Sequence, residues 1–321
     1  MKAAIVQGPN QTPVYGDFAE PEPAAGENRI RVSAAALSPL ARGRASGAHY
    51  SASHSFPFVA GVDGVVRLDD GKRVYFLMPR APFGAMAEEA VVSSTQFLPL
   101  PYGLDDITAA AIANPAMSSC AALMERAKLK AGETVLVNGA TGAAGQLAVQ
   151  IARRLGAAKV IATGRNLKAL REAAELGADA TIPLVEDEAA LDASFAAAFE
   201  KGVDVVVDYL WGKSAERLLI AAAKAAKAAP LRFVQIGSIS GGAIALPGDV
   251  LRSAPITLMG SGLGSVPPDR LLAAIGTGLE AAASGGFKIA AKAVPLSEVE
   301  QAWAGDDGGR RIVFTMDERK A

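Results

Sequence analysis

Along the first third of the chain, apolar positions come in short alternating runs. Arg29-Ile30-Arg31-Val32-Ser33-Ala34 alternates polar and apolar side chains, the period of a strand with one buried face. Runs at 58–66 and 73–78 are apolar or β-branched, and Asp69-Asp70-Gly71 between them is a turn signal. Prolines at 9, 13, 21, 23, 39, 57, 79, 82, 99 and 101 punctuate this part. Proline has no N–H to give to a sheet ladder, so the strands here are expected to be short. From about residue 113 the rhythm changes. Strand-like runs at 134–138, 159–163, 180–184, 203–208, 231–236 and 256–260 alternate with alanine-rich, helix-compatible segments at 143–156, 167–176, 187–200 and 213–228. The run Val203-Asp204-Val205-Val206-Val207-Asp208 is nearly continuous apolar sequence, which suits a parallel strand buried on both faces. Strand–helix alternation of this kind predicts an α/β fold with a doubly wound parallel sheet. The tail holds one more helical stretch (270–282) and two strand-like runs (288–294 and 311–316). The last run resembles the first part of the chain, so the tail is expected to fold back onto it. The expected division is 1–112, 113–260 and a returning 261–321.

Composition narrows the function classes. The chain has 321 residues, with Lys+Arg 32 against Asp+Glu 33 and a net charge of −1. No general basic surface for nucleic acid or anionic lipid is expected on that balance. The single cysteine, Cys120, excludes an intrachain disulfide and a four-cysteine zinc site. Uncharged stretches at 107–124 and 134–152 have the length of a membrane span. The first is broken by Asn114-Pro115 and Ser118-Ser119, and the second by Asn138, three glycines and Gln146, so neither reads as one. The N-terminal apolar run is too short for a signal peptide, and a cytoplasmic protein is expected.

The chemistry is carried by glycine. Val135-Leu136-Val137-Asn138-Gly139-Ala140-Thr141-Gly142-Ala143-Ala144-Gly145 follows a strand and opens a helix. Glycines 139, 142 and 145 are spaced as a relative of the G-x-G-x-x-G dinucleotide fingerprint. Such a loop lets the chain turn sharply, lets backbone approach a pyrophosphate, and offers helix-start amides to the anion. The bare alternative is a tight strand–helix turn with no ligand. The second strand ends in Gly164-Arg165-Asn166, with Lys168 close by. An NAD site usually places a carboxylate about 20 residues beyond the loop to hold the ribose hydroxyls. Here Arg165 stands at that distance and no Asp or Glu is present. A guanidinium there suits a 2′-phosphate and favours NADPH; solvated cations at a helix start are the bland alternative. Ile236-Gly237-Ser238 and Gly262 follow later strands at the same carboxyl edge, where they either admit cofactor or simply turn the chain.

Other chemistries find little support. Only Cys120, His49 and His54 are available as sulfur or imidazole ligands, and the two histidines share no helical register, so no metal site is expected. A buried thiol is the expected state of Cys120. No G-x-S-x-G nucleophile elbow is present. Tyr209 and Lys213 have the Tyr-x-x-x-Lys spacing of short-chain dehydrogenases, but Gly212 interrupts any helix that would align them. Tyr209 is expected to be a loop residue over the cofactor cleft.

Taken together, the motifs resemble the medium-chain dehydrogenase/reductase superfamily, in its zinc-free quinone oxidoreductase branch. The segment 56–66, with Pro57, Gly61 and Asp63, is similar to the family's P-x-x-x-G-x-D-x-x-G, with Val66 at the last position. Zinc-dependent members carry Gly-His-Glu where this chain has Gly61-Val62-Asp63. Asp70-Gly71-Lys72-Arg73-Val74 resembles the family's G-D-R-V turn, Asn114-Pro115-Ala116-Met117-Ser118-Ser119 its segment ahead of the nucleotide domain, the stretch 137–145 its cofactor loop, and the run 205–208 its fourth strand. Ser38-Pro39-Leu40-Ala41 departs from the Asn-Pro-x-Asp of many quinone reductases. The resemblance implies a Rossmann domain beside a β-rich GroES-like domain formed by both chain ends, NADPH as cofactor, and a homodimer. It also points to Tyr50, in Ser46-Gly47-Ala48-His49-Tyr50, as the site tyrosine. The implied activity is hydride transfer from NADPH to a small, hydrophobic, electron-poor quinone, with Tyr50, Ser118 or solvent giving the proton. Reduction of an enone, alkenal or enoyl thioester by the same geometry, and NADPH binding without turnover as an adaptor or sensor, are the alternatives.

Overall fold

Val135, Leu136 and Val137 and the facing Val205, Val206 and Val207 are all fully buried. They lie on neighbouring parallel strands, the arrangement that runs apolar on both faces require. In the computed structural model, residues 1–316 are described apart from 53–54, 69, 185–186, 226–228 and 306–308. Asp69 of the expected turn and the end of the expected helix 213–228 therefore lie outside the described residues. Contacts divide the chain into two units, Pro115–Gly278 and Met1–Asn114 with Leu279–Ala321.

The unit Pro115–Gly278 is built on six parallel strands. Their spatial order is Ala180–Pro183, Lys159–Gly164, Thr134–Asn138, Val205–Asp208, Leu231–Gln235 and Ile256–Gly260. In chain order this is third, second, first, fourth, fifth, sixth. The direction of winding reverses between Thr134–Asn138 and Val205–Asp208, and ligands bind open α/β sheets at the carboxyl ends of strands at such a switch point. Helices Ala143–Arg154, Leu167–Glu175, Glu188–Glu200 and Gly212–Lys224 connect the strands. Asp187 caps the third of these by accepting from the amides of Ala189 and Ala190, both at 3.0 Å. Leu136, Phe195, Val206, Leu218 and Phe233 belong to the dry core of this unit. The sixth strand and most of helix Pro268–Ala283 belong to it as well, so the division falls within that helix. Two contacts tie the helix there. Arg270 Nη2 donates to Glu125 Oε1 at 2.6 Å, and a Cβ on Gly278 would stand 2.3 Å from the methyl of Ala116.

The other unit is largely antiparallel. Strand Glu27–Ala36 is its spine and pairs with Asp63–Arg67, with Glu89–Ser93 and with Arg311–Thr315. The tail strand Arg311–Thr315 thus lies in one sheet with strands from the first part of the chain. The expected single run 58–66 is two strands, Phe58–Val59 against Lys2–Val6 and Asp63–Arg67 against Glu27–Ala36. The break lies at Gly61, whose φ of +97° and close approach to the Met86 amide (2.7 Å from a would-be Cβ) no other residue tolerates. Helix Pro39–Ser46 interrupts a region whose pattern predicts strands alone. Its signal is Ser38-Pro39: the Ser38 hydroxyl accepts from the Ala41 amide at 3.0 Å and Pro39 opens the first turn. Phe76, Met86 and Phe314 are among the largest buried side chains of this unit.

One helical stretch, Asp106–Arg126, is long and apolar enough to cross a membrane, but 72% of that window is buried within the protein. It is a core helix. Cys120 lies on it, buried, and burial pushes its thiol up to about 12, so it is an inert packing residue.

Phe233 has no exposed surface and packs beneath the helices of the parallel sheet. Phe233→Ala is expected to cost about 3–5 kcal/mol, read as a lower midpoint in urea unfolding at unchanged slope.

Candidate active site

Strand Thr134–Asn138 ends at the switch point, and its last side chain begins a buried polar knot. Asn138 Nδ2 donates to Asp208 Oδ1 at 2.8 Å and to Ser214 Oγ at 2.9 Å. Asn138 Oδ1 accepts from Thr163 Oγ1 at 2.7 Å. Asn138, Thr163 and Asp208 are wholly buried, and each stands at or beside the carboxyl end of a different strand. Burial raises the Asp208 carboxyl above the usual range, and the amides of Leu210 and Trp211 and the Asn138 amide, all donating to it, pull it back down.

Out of this knot comes the glycine loop. Gly139 has φ of +94°, and its amide donates to the Thr163 carbonyl at 3.2 Å. The Ala140 amide donates to the same carbonyl at 2.8 Å. These two amides hold the loop to the second strand, and Ala140 is wholly buried, so neither faces a ligand. The amides left for an anion belong to the helix that follows. Helix Ala143–Arg154 has Gly142 at its N-cap, no side-chain cap and no acidic residue in its first turn. Its uncapped amides include those of Ala143, Ala144 and Gly145, and a Cβ on Gly142 would meet nothing within 4 Å. Close approach explains the other glycines. A Cβ on Gly145 would stand 2.2 Å from the Gly139 carbonyl oxygen, and one on Gly164 would stand 2.2 Å from Thr141 Cγ2. Thus Gly139, Thr141, Gly145 and Gly164 shape the turn, while Gly142, Ala143 and Ala144 leave a cradle that fits a diphosphate.

At the end of the second strand, Arg165, Asn166 and Lys168 are exposed. They have different duties. Asn166 Oδ1 accepts from the amides of Lys168 and Ala169 at 3.0 and 3.1 Å and so caps helix Leu167–Glu175. Lys168 Nζ stands 3.9 Å from Glu172 one turn on. Arg165 makes no ion pair with a carboxylate among the described residues, which leaves its guanidinium for a ligand. Two later edges are close-packed turns. Ile236 and Gly237 amides donate to the Asp208 carbonyl at 2.7 and 3.1 Å, with Ser238 exposed just beyond. The Gly262 amide donates to Ser265 Oγ at 2.7 Å.

Residues 143–276 match the family model described as zinc-binding dehydrogenase. A probable NADPH-dependent quinone reductase of Emericella nidulans is 30% identical over 360 residues, covering 98% of this chain and 99% of that one. The quinone oxidoreductase of Rattus norvegicus is 32% identical over 217 residues, 64% of each chain. Among solved structures, the quinone oxidoreductase of Thermus thermophilus, also solved in complex with NADPH, superposes with a TM-score of 0.82 at 29% identity, over 98% of this chain and 100% of that one. The chain belongs to the quinone oxidoreductase branch of the medium-chain dehydrogenase/reductase superfamily.

Within this quinone oxidoreductase fold, the two residues singled out as proton donors differ sharply. Tyr50 is 71% exposed, its ring tilted on that of His49 with centroids 4.2 Å apart. Ser118 is half-buried, and its hydroxyl donates to the Pro115 carbonyl at 2.9 Å. Tyr209 lies in the loop that follows strand Val205–Asp208, as expected, but its side chain is not exposed. It is buried, and its hydroxyl shares a 2.7 Å hydrogen bond with Ser119, which bonds back to Pro115. Burial pushes the Tyr209 hydroxyl far above its usual range, so it does not ionise there. Lys213, four residues on, pairs instead with Glu216. Among the described residues no group of three or more His, Cys, Asp and Glu could hold a metal; His54 lies outside them.

Asp63, the acid of the segment that resembles the superfamily motif, is wholly buried and accepts from the Tyr75 hydroxyl at 2.8 Å. Its other oxygen, Oδ1, has no hydrogen-bond partner. Burial pushes its carboxyl up to about 7, with the Tyr75 hydrogen bond and the charge of Arg311 opposing. Below that value it is neutral in the fold, whereas the unfolded chain loses the proton near its ordinary value of 3.8. The folded protein therefore binds the extra proton in this window, and stability falls as pH rises through it. The full span corresponds to roughly 4 kcal/mol. Asp63→Asn keeps an acceptor for Tyr75 without the charge. Its melting temperature is expected to match the parent near about pH 4 and to exceed it near about pH 8. A constant difference across that range would mean that Asp63 is charged in the fold throughout.

Proposed function

We propose that the protein is an NADPH-dependent oxidoreductase that reduces a quinone by direct hydride transfer. The observation that carries this reading is the pairing of an uncapped helix start over the Gly142 cradle with Arg165 at the end of the second strand. The first fits a diphosphate and the second a 2′-phosphate, the group that separates NADPH from NADH. NADPH supplies the hydride. Ala143, Ala144 and Gly145 amides would hold the diphosphate, and Arg165, with Lys168 beside it, the 2′-phosphate. Gly164 and Asn166 keep that strand end and the next helix in place, and Ile236, Gly237, Ser238 and Gly262 bound the same carboxyl edge.

A quinone asks little more of the protein. Conjugation spreads the arriving negative charge, so no Lewis acid is required, and Gly61-Val62-Asp63 supplies no imidazole to bind one. One hydride and one proton make the hydroquinone. Tyr50, largely exposed, is the proposed proton donor; the Ser118 proton is already committed to the Pro115 carbonyl. We also assign a homodimer formed through strand Ile256–Gly260. It is an edge strand with no strand on its outer side among the described residues, and Leu258 on it is 36% exposed.

Following NADPH absorbance against quinones, enones and enoyl thioesters tests the reaction. Quinones are expected to be reduced fastest. Faster enone or thioester turnover would identify an activated-alkene reductase, and binding without any turnover a sensor. Arg165→Ala is expected to raise KM for NADPH by about 10- to 100-fold and leave KM for NADH in place, since hydrogen bonds to charged groups contribute ~1.5–3 kcal/mol. Equal effects on both cofactors would remove Arg165 from the 2′-phosphate. Tyr50→Phe is expected to lower kcat with little change in KM; full turnover would hand the proton to solvent.

A further inference from the structure

Three partly covered arginines of this protein hold carboxylates. Arg73 pairs with Asp106, Arg153 with Asp179 and Arg232 with Glu133, at 24%, 30% and 22% side-chain exposure. Arg44 differs from these three. It is half-buried on helix Pro39–Ser46, and among the described residues its contacts are Ser51 Oγ at 3.5 Å and Met78 Sδ at 3.6 Å from Nη1, with no acidic partner. Desolvation lowers its pKa, the mark of a cation whose lost water nothing has replaced.

Its surroundings are shaped for an apolar body. Arg44 lines a small open hollow of about 70 Å³, with Phe58, Val62, Met78, Pro79 and Phe83 among the other walls. Phe58 is itself braced by Phe56, ring centroids 5.4 Å apart. Met78 is held at φ of +55°, a conformation rare for a side chain of its kind, and its sulfur is the atom that meets the guanidinium. The neighbouring imidazole adds no second charge. His49 Nδ1 accepts the Ser51 amide at 3.1 Å, and burial together with Arg44 holds its pKa below the usual histidine value. The hollow thus presents aromatic and aliphatic walls and one positive charge with no acidic partner among the described residues.

We propose that Arg44 is a specificity-determining residue, binding the anionic substituent, a carboxylate or sulfonate, of an aromatic acceptor whose ring packs against the walls of this open hollow. The proposal rests on the quinone reductase reading for the identity of the acceptor, but the binding site itself does not need that reading. An incoming carboxylate gives the guanidinium the charge-assisted hydrogen bonds that the fold withholds.

Two measurements on the full chain separate these claims. The first is calorimetric titration with naphthoate, which cannot be reduced as a quinone can, against neutral naphthamide. Naphthoate is expected to bind more tightly, and Arg44→Met to weaken it by about 10- to 100-fold, with partial recovery in Arg44→Lys. Naphthoate binding that Arg44→Met leaves in place overturns the proposal whatever the turnover. The second is kcat/KM with NADPH for a naphthoquinone sulfonate relative to unsubstituted naphthoquinone. That ratio is expected to fall in Arg44→Met by a similar factor, while affinity for NADPH, read by calorimetry, reports intact folding. Equal losses on both quinones, or weakened NADPH binding, overturn the role in acceptor choice. If no quinone is reduced yet naphthoate binding depends on Arg44, the quinone reading fails and the anion site stands.

Discussion

The parallel sheet can present a binding edge because three of its strand ends are tied by one buried side chain. Asn138 accepts from Thr163 and donates to Asp208 and Ser214, so the first, second and fourth strands end in register. The alternative for each of these groups is an unmet hydrogen bond in a dry interior, which costs more than the bond itself contributes in water. That asymmetry makes the knot close to all-or-none. Everything nearer the ligand leans on it. Asp208 uses its remaining acceptor capacity on the amides of Leu210 and Trp211, which fixes the turn after that strand. Thr163 gives its carbonyl to Gly139 and Ala140, which aims the following helix.

The inner strands were legible because burial on both faces leaves a plain mark, and the edge strand Ile256–Gly260, with no buried residue, because it is a short apolar run. The runs at 134–138 and 256–260 match the observed strands residue for residue, and the neighbouring ones agree to within two residues at either end. The glycine loop was legible for the same kind of reason, since only glycine fits where a Cβ would stand 2.2 Å from another backbone atom. Spacing does not reveal how the loop's amides are shared. It presents every residue from 139 to 145 as equally available, whereas the amides of Gly139 and Ala140 are committed to the second strand.

The knot was invisible for a different reason. Its members lie 25 and 70 positions apart in the chain, and polar residues at strand ends carry no periodicity. Ser119 and Tyr209, 90 positions apart, meet in the same unannounced way, and their bond removes Tyr209 from the candidates for chemistry. Helix Pro39–Ser46 is an intermediate case. Its Ser-Pro start is a cap signal, but eight residues with two buried alanines give too little amphipathic pattern to stand out among short strands.

Charge management separates the two units more clearly than composition does. In the parallel unit the buried acid, Asp208, receives three N–H donors and is a structural hub. In the antiparallel unit Asp63 has one donor for two oxygens, and Arg44 has no acid among the described residues. A fold selected only for stability would pair such groups or replace them with apolar ones, because a buried charge without compensation is a net cost. Local incompleteness of this kind concentrates where a protein must leave interactions for something else to make. The parallel unit leaves backbone amides uncapped at one helix start, and the antiparallel unit leaves a guanidinium in an aromatic hollow. Both groups are positive or carry positive dipoles, which is why the proposed ligand of each unit is an anion, a phosphate in one and the charged end of an acceptor in the other.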